Sequence, residues 1–170
     1  MISQEFLKDR FVYDPETGDF YYRKSDKKCG YINHSGYRYI TICYKTYIVH
    51  RLIWVYMTGS YPPEDIDHIN RNRLDNRWVN LRAVSRSENS KNRSVSKKNS
   101  SGYPGVGYNK RDEKFYAAIM VDGERHYLGY YDSAEEAGKA YKEASLYYYK
   151  EFSPYWLDKN QNCDRVELQT

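Results

Sequence analysis

Residues 66–89 read IDHINRNRLDNRWVNLRAVSRSEN, and the fold of the chain turns on this stretch. Asn80 follows His68 by 12 positions and Asn89 follows it by 21. Ser85 and Glu88 have the S-x-x-E spacing of a capping box, which predicts a helix start there and puts Asn89 in its first turn. A strand, a loop, a second strand and that helix can fold back so that the helix N-terminus faces the first strand. Neighbouring side chains on a strand point to opposite sides, so Asp67 and His68 converge only at a bent or terminal strand, or from two directions.

Working outward, residues 11–24 read as two short strands around Asp14-Pro15-Glu16-Thr17-Gly18, a hairpin turn. The run YRYITICYKTYIV (37–49) predicts another strand pair with its polar break at Lys45. Leu52, Ile53, Tyr56 and Met57 repeat with helical period and Gly59 follows, which predicts a short helix over His50–Thr58. KNRSVSKKNSSG (91–102) has the composition of a flexible basic linker. Beyond it, Val106–Tyr108, Phe115–Val121 and Arg125–Tyr131 read as three strands, with a tight turn at Asp122-Gly123. Ser133 and Glu136 form a second capping box, and Ala137, Ala140, Tyr141, Ala144 and Tyr148 make one helical stripe. The expected organisation is residues 1–95, a linker at 96–102, a second unit at 103–155 and a polar tail at 156–170.

The 170 residues hold 27 Lys plus Arg against 23 Asp plus Glu, net +4, which decides little until split by region. Residues 1–100 hold 18 basic and 11 acidic residues, net +7, whereas residues 101–155 hold 7 and 9, net −2. The N-terminal excess suits a polyanion, and a solvated basic face has the same composition. Twenty-one Tyr point to sheet faces and wet interfaces. Cys29, Cys43 and Cys163 are odd in number and far apart, so neither a disulfide framework nor a zinc knuckle is expected. No apolar run approaches the ~20 residues of a membrane span and no signal-peptide core is visible. These readings predict a reducing, cytoplasmic setting with no membrane partner.

An imidazole can take a proton from water, and a carboxylate with an amide oxygen suits a hard divalent cation, which together meet the needs of phosphodiester hydrolysis. The segment from about Val49 to Asn92, with VHRLIW and then IDHINRNRLDNRWVNLRAVSRSEN, resembles the HNH endonucleases of the branch found in phage intron and free-standing homing enzymes. The resemblance implies a ββα-metal fold, His68 as general base, Asp67 and Asn89 as ligands of one Mg²⁺ or Mn²⁺, and Asn80 orienting His68. It implies double-stranded DNA as partner and a bacterial or phage-infected cell as setting. Monomer and homodimer stay open. Arg73, Arg77 and Arg82 surround the expected site and are candidates for holding phosphates.

Residues 103 to about 152, with YPGVGY, KFYAAI and RHYLGYYDSAEEAGKAY, resemble the APETALA2/ethylene-response-factor DNA-binding domain, which is also appended to HNH homing enzymes. That implies a three-stranded antiparallel sheet packed on one helix, its other face toward the major groove. Alternation then puts Phe115, Ala117 and Ile119 against the helix and Tyr116, Ala118, Met120, Arg125 and Tyr127 outward. Tyr108, Asn109, Lys110, Arg111 and Lys114 are further candidate DNA contacts. Pro104, Gly107, Asn109 and Met120 stand where several plant members carry Arg, and Tyr127 replaces a Trp, so the plant target sequence does not carry over. The chain is expected to be α+β, a ββα-metal domain with a β-rich N-terminal region followed by the sheet unit. A catalytically inactive DNA-binding regulator is the competing reading, and a sheet-rich adaptor a third that leaves the four-residue spacing unexplained.

Overall fold

The computed structural model describes residues 2–92 and 99–158. Residues 96–98 of the expected linker, most of the expected tail and Cys163 lie outside the described residues. The chain divides into two compact units, Met1–Asn89 and Ser90–Thr170.

In the first unit, Ser3 accepts the amide of Phe6 at 3.1 Å and so starts α1 (Gln4–Arg10), whose Glu5 and terminal Lys8 and Arg10 complement the helix dipole. Strands β1 (Phe11–Asp14) and β2 (Asp19–Tyr22) form the expected antiparallel hairpin. Asp14 closes its turn by accepting from the Glu16 amide at 2.9 Å and the Thr17 hydroxyl at 2.8 Å.

A second antiparallel sheet has the order β3 (Tyr31–Ile32), β4 (Arg38–Ile42), β5 (Lys45–Ile48). Its β4–β5 turn is Cys43-Tyr44, both at positive φ (47° and 63°). The break therefore precedes the expected position: Lys45 is already the first residue of β5, because a two-residue hairpin of this twist needs two left-handed residues between the strands.

Helix α2 (Val49–Thr58) ends where Gly59 takes φ 79° and its N–H bonds the Val55 carbonyl. Its Val49, Leu52, Ile53 and Val55 enter a core with Leu7, Phe11, Phe20, Ile40, Ile66 and Leu81. Strands β6 (Asp65–His68) and β7 (Leu81–Val84) pair antiparallel from Asp65↔Val84 to His68↔Leu81. After β7 the capping box forms: the Ser85 N–H donates to Glu88 Oε2 at 2.8 Å and the Glu88 N–H to Ser85 Oγ at 3.2 Å. It starts α3 (Arg86–Lys91).

The second unit is a sheet of order β10 (Glu124–Tyr131), β9 (Lys114–Val121), β8 (Val106–Asn109), packed by α4 (Ala134–Tyr149). Its small core is Val106, Ala117 and Ala137, ringed by Tyr103, Phe115, Leu128, Tyr131 and Tyr141. Asn99, Ser101 and Gly102, placed in the expected linker, fold as a turn onto this unit: Asn99 Oδ1 accepts both following amides, and the Ser101 hydroxyl donates to the Val106 carbonyl at 3.0 Å. The whole chain is α+β with antiparallel sheets. Among the described residues no helix is long and apolar enough to cross a membrane.

Candidate functional site

Strand β6 separates two environments. Ile66 and His68 share the face that meets the core and α2, while Asp65 and Asp67 share the opposite face. His68 is the last residue of the strand, and the chain turns away at Arg71, whose φ is 63°. Asp67 and His68 therefore lie on opposite faces of the strand end and face two directions.

On the aspartate face, Arg82 stands across the ladder from Asp67 and brings Nε and Nη2 to 3.0 and 2.7 Å from Asp67 Oδ2. The pair is well shielded, with side-chain exposures of 17% and 9%. Helix α3 covers the same face: Asn89 Nδ2 donates to Asp65 Oδ2 at 3.1 Å. That bond turns the Asn89 amide so that its nitrogen, rather than Oδ1, is spent on Asp65. Among the described residues no three His, Cys, Asp or Glu side chains cluster to hold a metal. One carboxylate and one amide oxygen from a shared face are a sparse, hard-oxygen donor set, which fits a divalent cation that keeps water and phosphate in its remaining positions and does not fit structural zinc.

On the other face His68 is only 4% exposed. The imidazole is enclosed by rings. His50 meets it edge-on at 4.9 Å, and Tyr37 lies 5.3 Å from His50 and 6.0 Å from His68. Arg73 caps this cluster, its guanidinium 4.8 Å from the Tyr37 ring and Nη1 donating to the Ser35 carbonyl at 2.7 Å. Burial pushes the His50 pKa down to about 3, helped by the His68 and Arg51 charges. Burial also lowers that of His68, opposed by its hydrogen bond to Asn76 and by Asp67.

Asn80 was expected to orient His68. Its amide instead closes the loop beyond β6: Oδ1 accepts the Asn70 N–H at 2.9 Å, and Nδ2 donates to Asn70 Oδ1 at 2.9 Å and the Asp75 carbonyl at 2.7 Å. The side chain bonded to the imidazole is Asn76, whose Oδ1 lies 2.9 Å from His68 Nε2. Asn76 is buried in a loop without periodicity, so nothing in the spacing singled it out. Arg77 is likewise engaged, forking onto both oxygens of Asp75 at 2.7 and 2.6 Å and holding that carboxyl near a pKa of about 2. Arg77 and Arg82 therefore have carboxylate partners within the fold, while Arg73 is exposed above Tyr37.

In the second unit the outward face carries Tyr116, Met120, Arg125, Tyr127 and Tyr130. The Tyr116 ring lies 6.1 and 6.4 Å from those of Tyr127 and Tyr130. It crosses Gly107, where a Cβ would come within 2.5 Å of its hydroxyl end, so the missing side chain is what gives the ring room. Ala118 shares this face yet is buried, being short beside Tyr116, Met120 and its cross-strand partner Tyr127. Tyr108 pairs instead with Phe115 on the helix side, rings 5.0 Å apart, because the two are opposed in the β8–β9 register. Lys110 is exposed; Asn109 and Arg111 bond Asp112, and Lys114 pairs with Asp132.

A family model described as HNH endonuclease matches residues 47–91. The chain is 33% identical over 84 residues to Protein 3.8 of Escherichia phage T7, covering 49% of this chain and 69% of that protein. It is also similar to a solved structure described as DNA binding and cleavage by the HNH homing endonuclease I-HmuI, with 26% identity, a TM-score of 0.43, and coverage of 78% and 79% of the two chains. The matched segment takes in both strands and the helix of the site, and the chain belongs to the HNH endonuclease family.

Proposed function

We propose that the protein is a homing-type DNA endonuclease that hydrolyses a phosphodiester bond in double-stranded DNA with one divalent cation and His68 as general base. The observation that carries this reading is the ββα arrangement: His68 ends β6, and Asn89 of α3 lies over the face that bears Asp65 and Asp67. Asp67 and Asn89 would hold Mg²⁺ or Mn²⁺. Such an ion supplies charge stabilisation for the phosphate and the leaving oxygen when bound.

The protein's own part is to present a neutral imidazole. Burial disfavours the charged form of His68, so the ring is ready to accept a proton from the attacking water at neutral pH. Exposed Arg73 can meet a neighbouring phosphate without leaving Tyr37. The second unit, similar to the APETALA2/ethylene-response-factor domain, adds grip through Tyr116, Arg125 and Tyr127. Residues 101–155 carry a net charge of −2, so the net positive charge that draws the phosphates lies in residues 1–100.

Two observations favour the competing reading, an inactive DNA-binding regulator: His68 is enclosed, and Arg82 occupies one oxygen of Asp67. His68→Ala decides between them. The endonuclease reading expects wild-type protein to cut in Mg²⁺ and the variant to lose cutting while DNA affinity stays within about twofold. Equal cutting by both refutes His68 as the base, and no cutting by either leaves the regulator.

A further inference from the structure

We propose that Asn76 is the positioning residue of His68, the general base of the reading above, fixing the imidazole in the tautomer that carries its proton on Nε2. The proposal rests on the endonuclease reading for its consequence, while its structural core stands apart from it.

A neutral imidazole has one N–H and one lone pair, and the hydrogen bond made by one nitrogen decides which nitrogen is left as the base. Asn76 Oδ1 is an acceptor only and lies 2.9 Å from Nε2. The contact is between buried groups, where leaving a donor unmet is costly, so it selects the tautomer with the proton on Nε2. The surrounding rings fix the imidazole plane: His50 stands perpendicular to it at 86° and Tyr37 borders both.

Asn76 is itself braced from a distant part of the chain. The Tyr13 hydroxyl of β1 donates to the Asn76 carbonyl at 2.8 Å, a contact across 63 residues. The tip of the β1–β2 hairpin is pressed against the same backbone: a Cβ on Gly18 would stand 2.4 Å from the Arg77 nitrogen and 2.5 Å from the Asn76 carbonyl carbon. One residue on, the Trp78 N–H donates to the Pro15 carbonyl at 3.2 Å. The N-terminal hairpin thus holds the loop segment that holds the imidazole. Asn80 holds the other end of that loop through Asn70 and Asp75, so the two asparagines divide the work between side-chain orientation and loop closure.

The test reads the ring directly. Long-range ¹H–¹⁵N spectra of ¹⁵N-histidine-labelled full-length protein at pH 7.5 are expected to show His68 as the Nε2–H tautomer, assigned by its loss in His68→Ala. In Asn76→Ala the tautomers should mix, and the single-turnover cleavage rate should fall roughly 10- to 100-fold with DNA affinity unchanged. Asn76→Asp restores an acceptor and should recover the Nε2–H form and part of the rate. An Nδ1–H tautomer in the wild-type protein overturns the proposal, as does an Asn76→Ala variant that folds and keeps both its tautomer and its rate. If the spectra agree but wild-type protein does not cut DNA, it is the endonuclease reading that has failed, and the tautomer assignment stands.

Discussion

Arg82 faces Asp67 across the β6–β7 ladder and places two guanidinium nitrogens, at 2.7 and 3.0 Å, on one carboxylate oxygen. The pair orients a shielded carboxylate, and the guanidinium's positive charge would compete with a cation held there. Arg82→Ala should therefore cost about 2–3 kcal/mol of stability in EDTA, because it removes a close counter-charge from a shielded carboxylate. Mg²⁺ should recover part of the loss by taking over the role of counter-charge. Chemical denaturation of wild type and variant, each in EDTA and in Mg²⁺, checks this; an unchanged midpoint in EDTA contradicts it.

His50 gives the protein a pH dependence with a defined sign. Its folded-state pKa, pushed down to about 3, lies below the ordinary 6.5, so the unfolded chain takes up a proton first as pH falls. The contribution is fully present above about pH 6.5 and is lost between there and pH 3, with a slope of up to about 1.4 kcal/mol per pH unit. His68 is shifted in the same direction, so the difference between wild type and His50→Phe isolates the His50 share. The variant should show a shallower decline in unfolding free energy from pH 7 to 5. Parallel curves would remove His50 as the cause.

The aromatic face of the second unit predicts two distinguishable losses in DNA binding. Arg125→Ala should reduce the slope of log affinity against log salt by about one unit, the signature of one lost phosphate contact. Tyr127→Ala should weaken binding by about 1 kcal/mol while leaving that slope alone, since an exposed ring contributes contact rather than charge. Fluorescence anisotropy titrations across salt concentrations separate the two, and wild-type behaviour in both variants counts against the face as a DNA surface.

Gly18 links stability to the site. At φ +75° with Asn76 and Arg77 backbone inside the space of a Cβ, Gly18→Ala should cost about 1–3 kcal/mol and slow cleavage through the displaced loop. Thermal melts and single-turnover rates should fall together. A variant with normal melting and a normal rate would show that the hairpin tip does not brace the loop.

The strands, the helix and the capping box of the site are legible in the sequence because each rests on local signals: alternation around Asp67, S-x-x-E at Ser85, and a Gly after α2. What could not be read is the pairing of side chains across long separations. Tyr13 reaching Asn76, His50 packing on His68 and Arg82 claiming Asp67 depend on how distant elements stack, and no periodicity encodes that. Asn76 and Asn80 illustrate the boundary, since both are asparagines in one polar stretch and only packing tells which of them touches the imidazole. Face assignment in β9 worked by alternation for Phe115, Ala117 and Met120 and missed the burial of Ala118, because an alanine between large neighbours is covered whichever way it points.

The central claim is a cation-dependent cut made at Asp67, His68 and Asn89. Incubating purified protein with supercoiled plasmid DNA in Mg²⁺, in Mn²⁺ and in EDTA tests it most directly. Nicked or linear circles in both metal arms and intact supercoils in EDTA are the expected result; intact supercoils in all three arms, or equal cutting in EDTA, would contradict it.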